Sequence, residues 1–89
     1  MDTTTTGFVQ RFTILKTGFA CFFIGQDPDN VEALLISRVQ DETTSNLTWK
    51  SSMVDGLVTA MAAGQQVWVT HSDTDAEITS ISLGGPFSL

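Results

Sequence analysis

The sequence predicts a mainly β fold, a five-stranded barrel carrying one helix, in the order β-β-β-α-β-β. Three observations lead there. Five short segments are rich in aromatic and β-branched residues and are bounded by Gly, Pro, Asp, Asn, Ser or Thr. A single segment, past the midpoint of the chain, repeats its apolar residues at helical spacing. One helix cannot supply the repeated crossovers of a parallel α/β sheet, so the strands are expected to pair antiparallel.

The elements follow in chain order. Residues 1–6, Met-Asp-Thr-Thr-Thr-Thr, are polar and are expected to form a frayed, disordered tail. Phe8 to Leu15 reads as the first strand, and Lys16-Thr17-Gly18 as a hairpin turn. The second strand, Phe19 to Ile24, is a nearly continuous apolar run, as expected of a strand covered on both faces. Gly25-Gln26-Asp27-Pro28-Asp29-Asn30 is a turn by composition. A third strand runs from Val31 to Val39 or Gln40, with no clean alternation to assign its faces. Asp41 to Thr48 reads as a polar connection. Met53, Val54, Leu57, Val58, Met61 and Ala62 then trace one helical stripe, predicting a helix over roughly residues 51–63. Ser52 is the expected N-cap, with Asp55 three residues on, and Gly64 the left-handed residue after the helix. Gln66 to His71 and Ala76 to Leu83 are the last two strands, separated by Ser72-Asp73-Thr74-Asp75. The chain thus divides into a tail over 1–6, a single domain over 7–84 and a C-terminal tail over 85–89.

Composition narrows the function classes. The 89 residues are 42% hydrophobic and carry ten acidic against four basic side chains, a net charge of −6. One domain is expected, apolar enough to fold. Four cations cannot neutralise a phosphate backbone, so neither nucleic acid nor an anionic membrane is an expected partner. No apolar run approaches the ~20 residues needed for membrane insertion. Cys21 is the single cysteine, which excludes an intramolecular disulfide and a cysteine-based metal site. Its apolar neighbours predict a buried thiol. The start of the chain has no basic stretch and no apolar h-region, which predicts a cytoplasmic location, or a secreted one if a leader has been removed. A domain this small, without disulfides or metal, gains from oligomerisation.

The order of elements is that of the OB-fold, a partly open Greek-key barrel; an α+β sandwich with one helix on an antiparallel sheet is the alternative. The stretch from Ser51 to Thr70, Ser-Ser-Met-Val-Asp-Gly-Leu-Val-Thr-Ala-Met-Ala-Ala-Gly-Gln-Gln-Val-Trp-Val-Thr, resembles the helix, glycine turn and following strand of bacterial toxin B subunits of the Shiga and cholera type. The segment Ala76 to Leu83 is similar to their closing strand. That resemblance implies an OB-fold in a ring homopentamer, with the helix lining the pore and cell-surface glycans as ligands. Two features depart from it: the toxin subunits are secreted and usually carry a disulfide, whereas this chain has one Cys and no visible leader.

Four residues stand out as ligand or interface candidates: Trp68, Trp49, Thr70 and His71. Trp68 lies between Val67 and Val69. If the valines face the interior, alternation turns the indole outward, to a subunit contact or a sugar; if not, Trp68 is core. Trp49, placed just before the helix, reads as a hydrophobic staple or a subunit contact. His71 with Asp73 and Asp75 has metal-ligand residue types, but a solvated turn is the better reading and no metal is expected. Asp27, Asp29 and Glu32 lack the spacing of a calcium loop. No nucleophile–base pair, phosphate loop or HExxH motif is present, so neither an enzyme nor a cofactor is expected. The expected function is a non-enzymatic, glycan-recognising oligomeric subunit. A cytosolic structural or adaptor homo-oligomer binding another protein is the alternative.

Overall fold

A computed structural model describes residues 2–37 and 42–86 of the protein. Its elements are β1 (Asp2–Ile14), β2 (Ala20–Asp27), β3 (Asn30–Ile36), α1 (Thr44–Ala63), β4 (Gln66–Ser72) and β5 (Ile78–Leu83). The strands form one antiparallel sheet in the order β3-β2-β1-β4-β5. The mainly β class and the element order agree with the sequence reading.

Strand β1 is long because it serves two partners. Its first half pairs with β4, from Asp2 opposite Ser72 to Phe8 opposite Gln66. Its second half pairs with β2, from Phe8 opposite Gly25 to Ile14 opposite Ala20, with a register shift between Val9 and Arg11. Such a shift bends a strand and deepens its twist, and here the sheet curls around its inner face. The curl brings the edges β3 and β5 together at one isolated parallel bridge, Leu35 opposite Glu77, where the Leu35 N–H donates to the Ala76 carbonyl at 2.9 Å. The expected barrel is therefore not closed by a continuous ladder. The Glu77 carboxylate accepts the Ser37 N–H at 2.9 Å and also the Ser37 hydroxyl, so a side chain stands where further ladder bonds would form.

The concave face holds the core. Val9, Ala20, Phe22, Ile24, Leu34, Ile36, Val67, Val69 and Ile78 are buried there, with Phe12 stacked on Phe22 at 5.6 Å. Helix α1 covers this face, burying Met53, Leu57 and Ala60 at i, i+4 and i+7. Of the stripe read from sequence, Val54 and Val58 pack at the margin, and Met61 is exposed. Gly64 takes φ 65°, and its N–H reaches the Ala60 and Met61 carbonyls to end the helix as expected.

Several expectations need correction. Asp2 to Thr6 are not a frayed tail but half of β1, because Thr is β-branched and the run finds a partner in β4. The helix starts at Thr44, so the supposed polar connection is largely its first turns. Thr43, not Ser52, is the N-cap, its hydroxyl accepting the Asn46 N–H at 3.1 Å. Trp49 consequently lies within the helix rather than ahead of it. Cys21 is not core: alternation puts it on the outer face, between Thr13 and Leu35, and partly exposed. The proposed extension of the third strand to Val39 or Gln40 falls outside the described residues, as do residues 87–89 of the C-terminal tail.

Candidate functional site

Strand β4 settles which way its aromatic residue points. Val67 and Val69 are fully buried, so Trp68 and Thr70 project from the outer face of the sheet. The register supplies their neighbours. Trp68 lies opposite Thr6 of β1 and Ser82 of β5, and Thr70 lies opposite Thr4 and Ser80. Thr4, Trp68, Thr70, Ser80, Ser82 and Pro86 together line a depression of about 210 Å³. The Thr4 and Thr70 hydroxyls are 3.2 Å apart, and the Ser82 hydroxyl donates to the Gly85 carbonyl. Among the described residues, none that line this depression is charged. The half-buried indole of Trp68 lies there with Ser and Thr hydroxyls around it.

The other two candidates lie elsewhere. Trp49 is 41% exposed on α1, its indole N–H donating to Asn46 Oδ1 at 3.0 Å and the Lys50 ammonium 5.9 Å from its ring. Lys50 itself ties the helix to the end of β3, donating to the Ser37 carbonyl at 2.7 Å and pairing with Glu42 at 2.5 Å. His71 has the parity of Val67 and Val69 and faces inward, buried. It is not part of a solvated turn. Its Nε2 lies 2.9 Å from Glu32 Oε2 and 2.8 Å from the Thr5 hydroxyl, and its Nδ1 lies 3.0 Å from the Ser72 carbonyl. This is not the relay of a nucleophilic triad, in which a carboxylate holds one ring nitrogen and the nucleophile the other. Here hydroxyl and carboxylate share Nε2. The meeting of Thr5 and Glu32 with His71 escaped the sequence reading because it depends on pairings far apart in the chain.

The acidic turn before β3 is structural. Asp27 Oδ1 accepts the N–H groups of Asp29 and Asn30, and its Oδ2 accepts the Asn30 side-chain amide at 2.9 Å. These bonds, the Asn30 amide foremost, hold the Asp27 carboxyl below the usual carboxylate range. Burial pushes the Cys21 thiol up, partly offset by the Arg11 guanidinium. Arg11 lies 4.2 Å above the Phe23 ring on the same outer face. Among the described residues, no three His, Cys, Asp or Glu side chains are placed to hold a metal ion, and no helix is long and apolar enough to cross a membrane. Comparison with protein-family models, curated proteins and solved structures finds no match to the chain.

Proposed function

We propose that this chain is a non-enzymatic binding subunit of a homo-oligomer, with a ring pentamer the favoured assembly, and that it recognises glycans through the outer sheet face around Trp68. The observation that carries the reading is the indole of Trp68 set among the hydroxyls of Thr4, Thr70, Ser80 and Ser82 in one depression. A pyranose presents an apolar C–H face and a rim of hydroxyls. An aromatic face matches the first, and Ser or Thr hydroxyls, each both donor and acceptor, match the second. The likeness of Ser51–Thr70 and Ala76–Leu83 to toxin B subunits supports the same class. Exposed Ile14, Leu15 and Phe19 on the β1–β2 hairpin support assembly, since clustered apolar side chains mark contact surfaces.

Those hairpin residues also favour the second reading, an adaptor homo-oligomer that docks another protein. A glycan array probed with the assembled wild type and with Trp68→Ala separates the two. The glycan reading expects binding to neutral saccharides that the variant loses. No binding by an assembled wild type, or equal binding by both proteins, would remove it in favour of a protein partner. Light scattering that finds a stable monomer at micromolar concentration would remove the oligomer.

A further inference from the structure

We propose that the outer face of β1, β2 and β3 is a contact between two copies of this chain, packed back to back about a two-fold axis that runs along β2. Such a contact joins copies in pairs, single or already in rings. It rests on the homo-oligomeric part of the proposed function and makes no use of the glycan part.

Strand β2 is apolar on both faces, yet only its concave side is covered. Ala20, Phe22 and Ile24 are buried on that side. By alternation Cys21 and Phe23 project outward, and the pairings set Leu35 beside Cys21 and Ala33 beside Phe23. Leu15 and Phe19, joined by the Leu15 N–H to the Phe19 carbonyl at 2.8 Å, extend this stripe to the hairpin, where they are 53% and 39% exposed. An antiparallel sheet with one face in water carries polar residues on that face. The β4–β5 half of the sheet follows the rule, with Thr70, Ser80 and Ser82 outward, and the β2–β3 half breaks it. A strand of this composition belongs inside a sandwich of two sheets, and one chain supplies a single sheet.

Charge, shape and size select a second copy as the cover. The chain carries −6, yet among the described residues of these outward rows there is no carboxylate, and the charged side chain is Arg11, 4.2 Å above Phe23. Two acidic copies repel, and here they meet without setting carboxylate against carboxylate. With the axis along β2 the stripe lies on itself. Leu15 and Phe19 of one copy meet the same pair of the other, and Arg11 on β1 faces the short Ala33 on the other copy's β3. Turning one copy end for end would instead set Arg11 on Arg11 and the apolar hairpin on the acidic Asp27–Asn30 turn. The axis also leaves β4 and β5 of each copy beyond the edge strand β3 of the other, so both Trp68 depressions stay open. Three strands about 4.8 Å apart and four outward rows about 6.8 Å apart span about 390 Å² in projection. Side-chain relief raises the accessible area, which puts the two faces together at the low end of specific interfaces, about 1,000–1,200 Å². The face is convex, because the sheet curls the other way, so contact stays within the stripe. The dimer is therefore weak and reversible.

Cys21 is the single thiol and stands in the middle of the stripe, so its reactivity reports whether that stripe is covered. The experiment pairs sedimentation equilibrium with the rate of Cys21 alkylation by iodoacetamide, from about 1 μM to 1 mM protein, the range of weak association. In the wild type the alkylation rate should fall about fivefold or more as the mass doubles. The double variant Leu15→Gln, Phe19→Gln changes two side chains already in water and adds no charge beside the thiol. It should keep the wild-type circular dichroism and lose the doubling and the protection together. Assembly of the wild type in which Cys21 reacts as fast as in the double variant would overturn this face and leave the homo-oligomer standing. A wild type that stays monomeric at every concentration would overturn both.

Discussion

Replacing Leu57 with Ala removes three carbons from a side chain with no solvent exposure, at the centre of the face that α1 presents to the sheet. At ~0.8 kcal/mol per buried methylene, the lost transfer energy is about 2.4 kcal/mol. The cavity adds to this at about 24 cal/mol per Å³ left unfilled, and a helix held at both ends collapses only partly. We expect a total near 3 kcal/mol, within a range of about 2–5. A domain of this size has about 5–15 kcal/mol in all, so the variant folds but melts about 12–24 °C lower. Urea unfolding followed by circular dichroism measures the difference, with an unchanged m-value expected. Met61→Ala serves as the control, because Met61 is exposed and its loss should cost under about 1 kcal/mol. Equal losses at the two positions, or a Leu57→Ala loss below about 1 kcal/mol, would refute the orientation assigned to α1.

Gly25→Ala should prevent the β2–β3 turn from closing, since an added Cβ would lie 1.8 Å from the Asn30 carbonyl oxygen; a loss of less than about 1 kcal/mol would contradict that close approach. Asp27→Asn should lower stability at neutral pH but matter progressively less in acid. The folded state holds the Asp27 carboxyl below its ordinary range, so its contribution is present above that range and disappears as pH falls through the lowered value. Parallel pH–stability curves for the two proteins would argue against it. Cys21 should react with a disulfide reagent at neutral pH more slowly than a free thiol, because burial raises its proton affinity; reaction as fast as glutathione would show that the burial is not felt.

Much of the fold was legible because it rests on local chemistry. Alternation of Val67, Trp68 and Val69 put the valines and the indole on opposite faces of β4, and Gly64 marked the end of α1. The start of α1 was not legible, since Thr44, Ser45 and Asn46 are polar and carry no apolar period; Thr43 with Asn46 three residues on was the available cue. The Thr run at the N-terminus has strand propensity but no alternation of polarity, so only its pairing with β4 reveals it as β1. The candidate site divides the same way. That Trp68 and Thr70 share one face could be read from β4 alone, but that this face is the outer one is settled only by the burial of Val67 and Val69. Thr4, Ser80 and Ser82 join them through register between strands distant in sequence, and the inward turn of His71 toward Glu32 depends on the curl of the whole sheet.

The central claim, that the outer face around Trp68 is a saccharide-binding surface, is tested most directly by NMR titration of the assembled protein with a panel of neutral hexoses and their disaccharides. The account predicts saturable shifts of the Trp68 indole N–H together with the amides of Thr4, Thr70, Ser80 and Ser82, while Trp49 on α1 and Leu15 and Phe19 on the hairpin stay still. An indole that does not move at any concentration, or shifts confined to Leu15, Phe19 and Trp49, would contradict it.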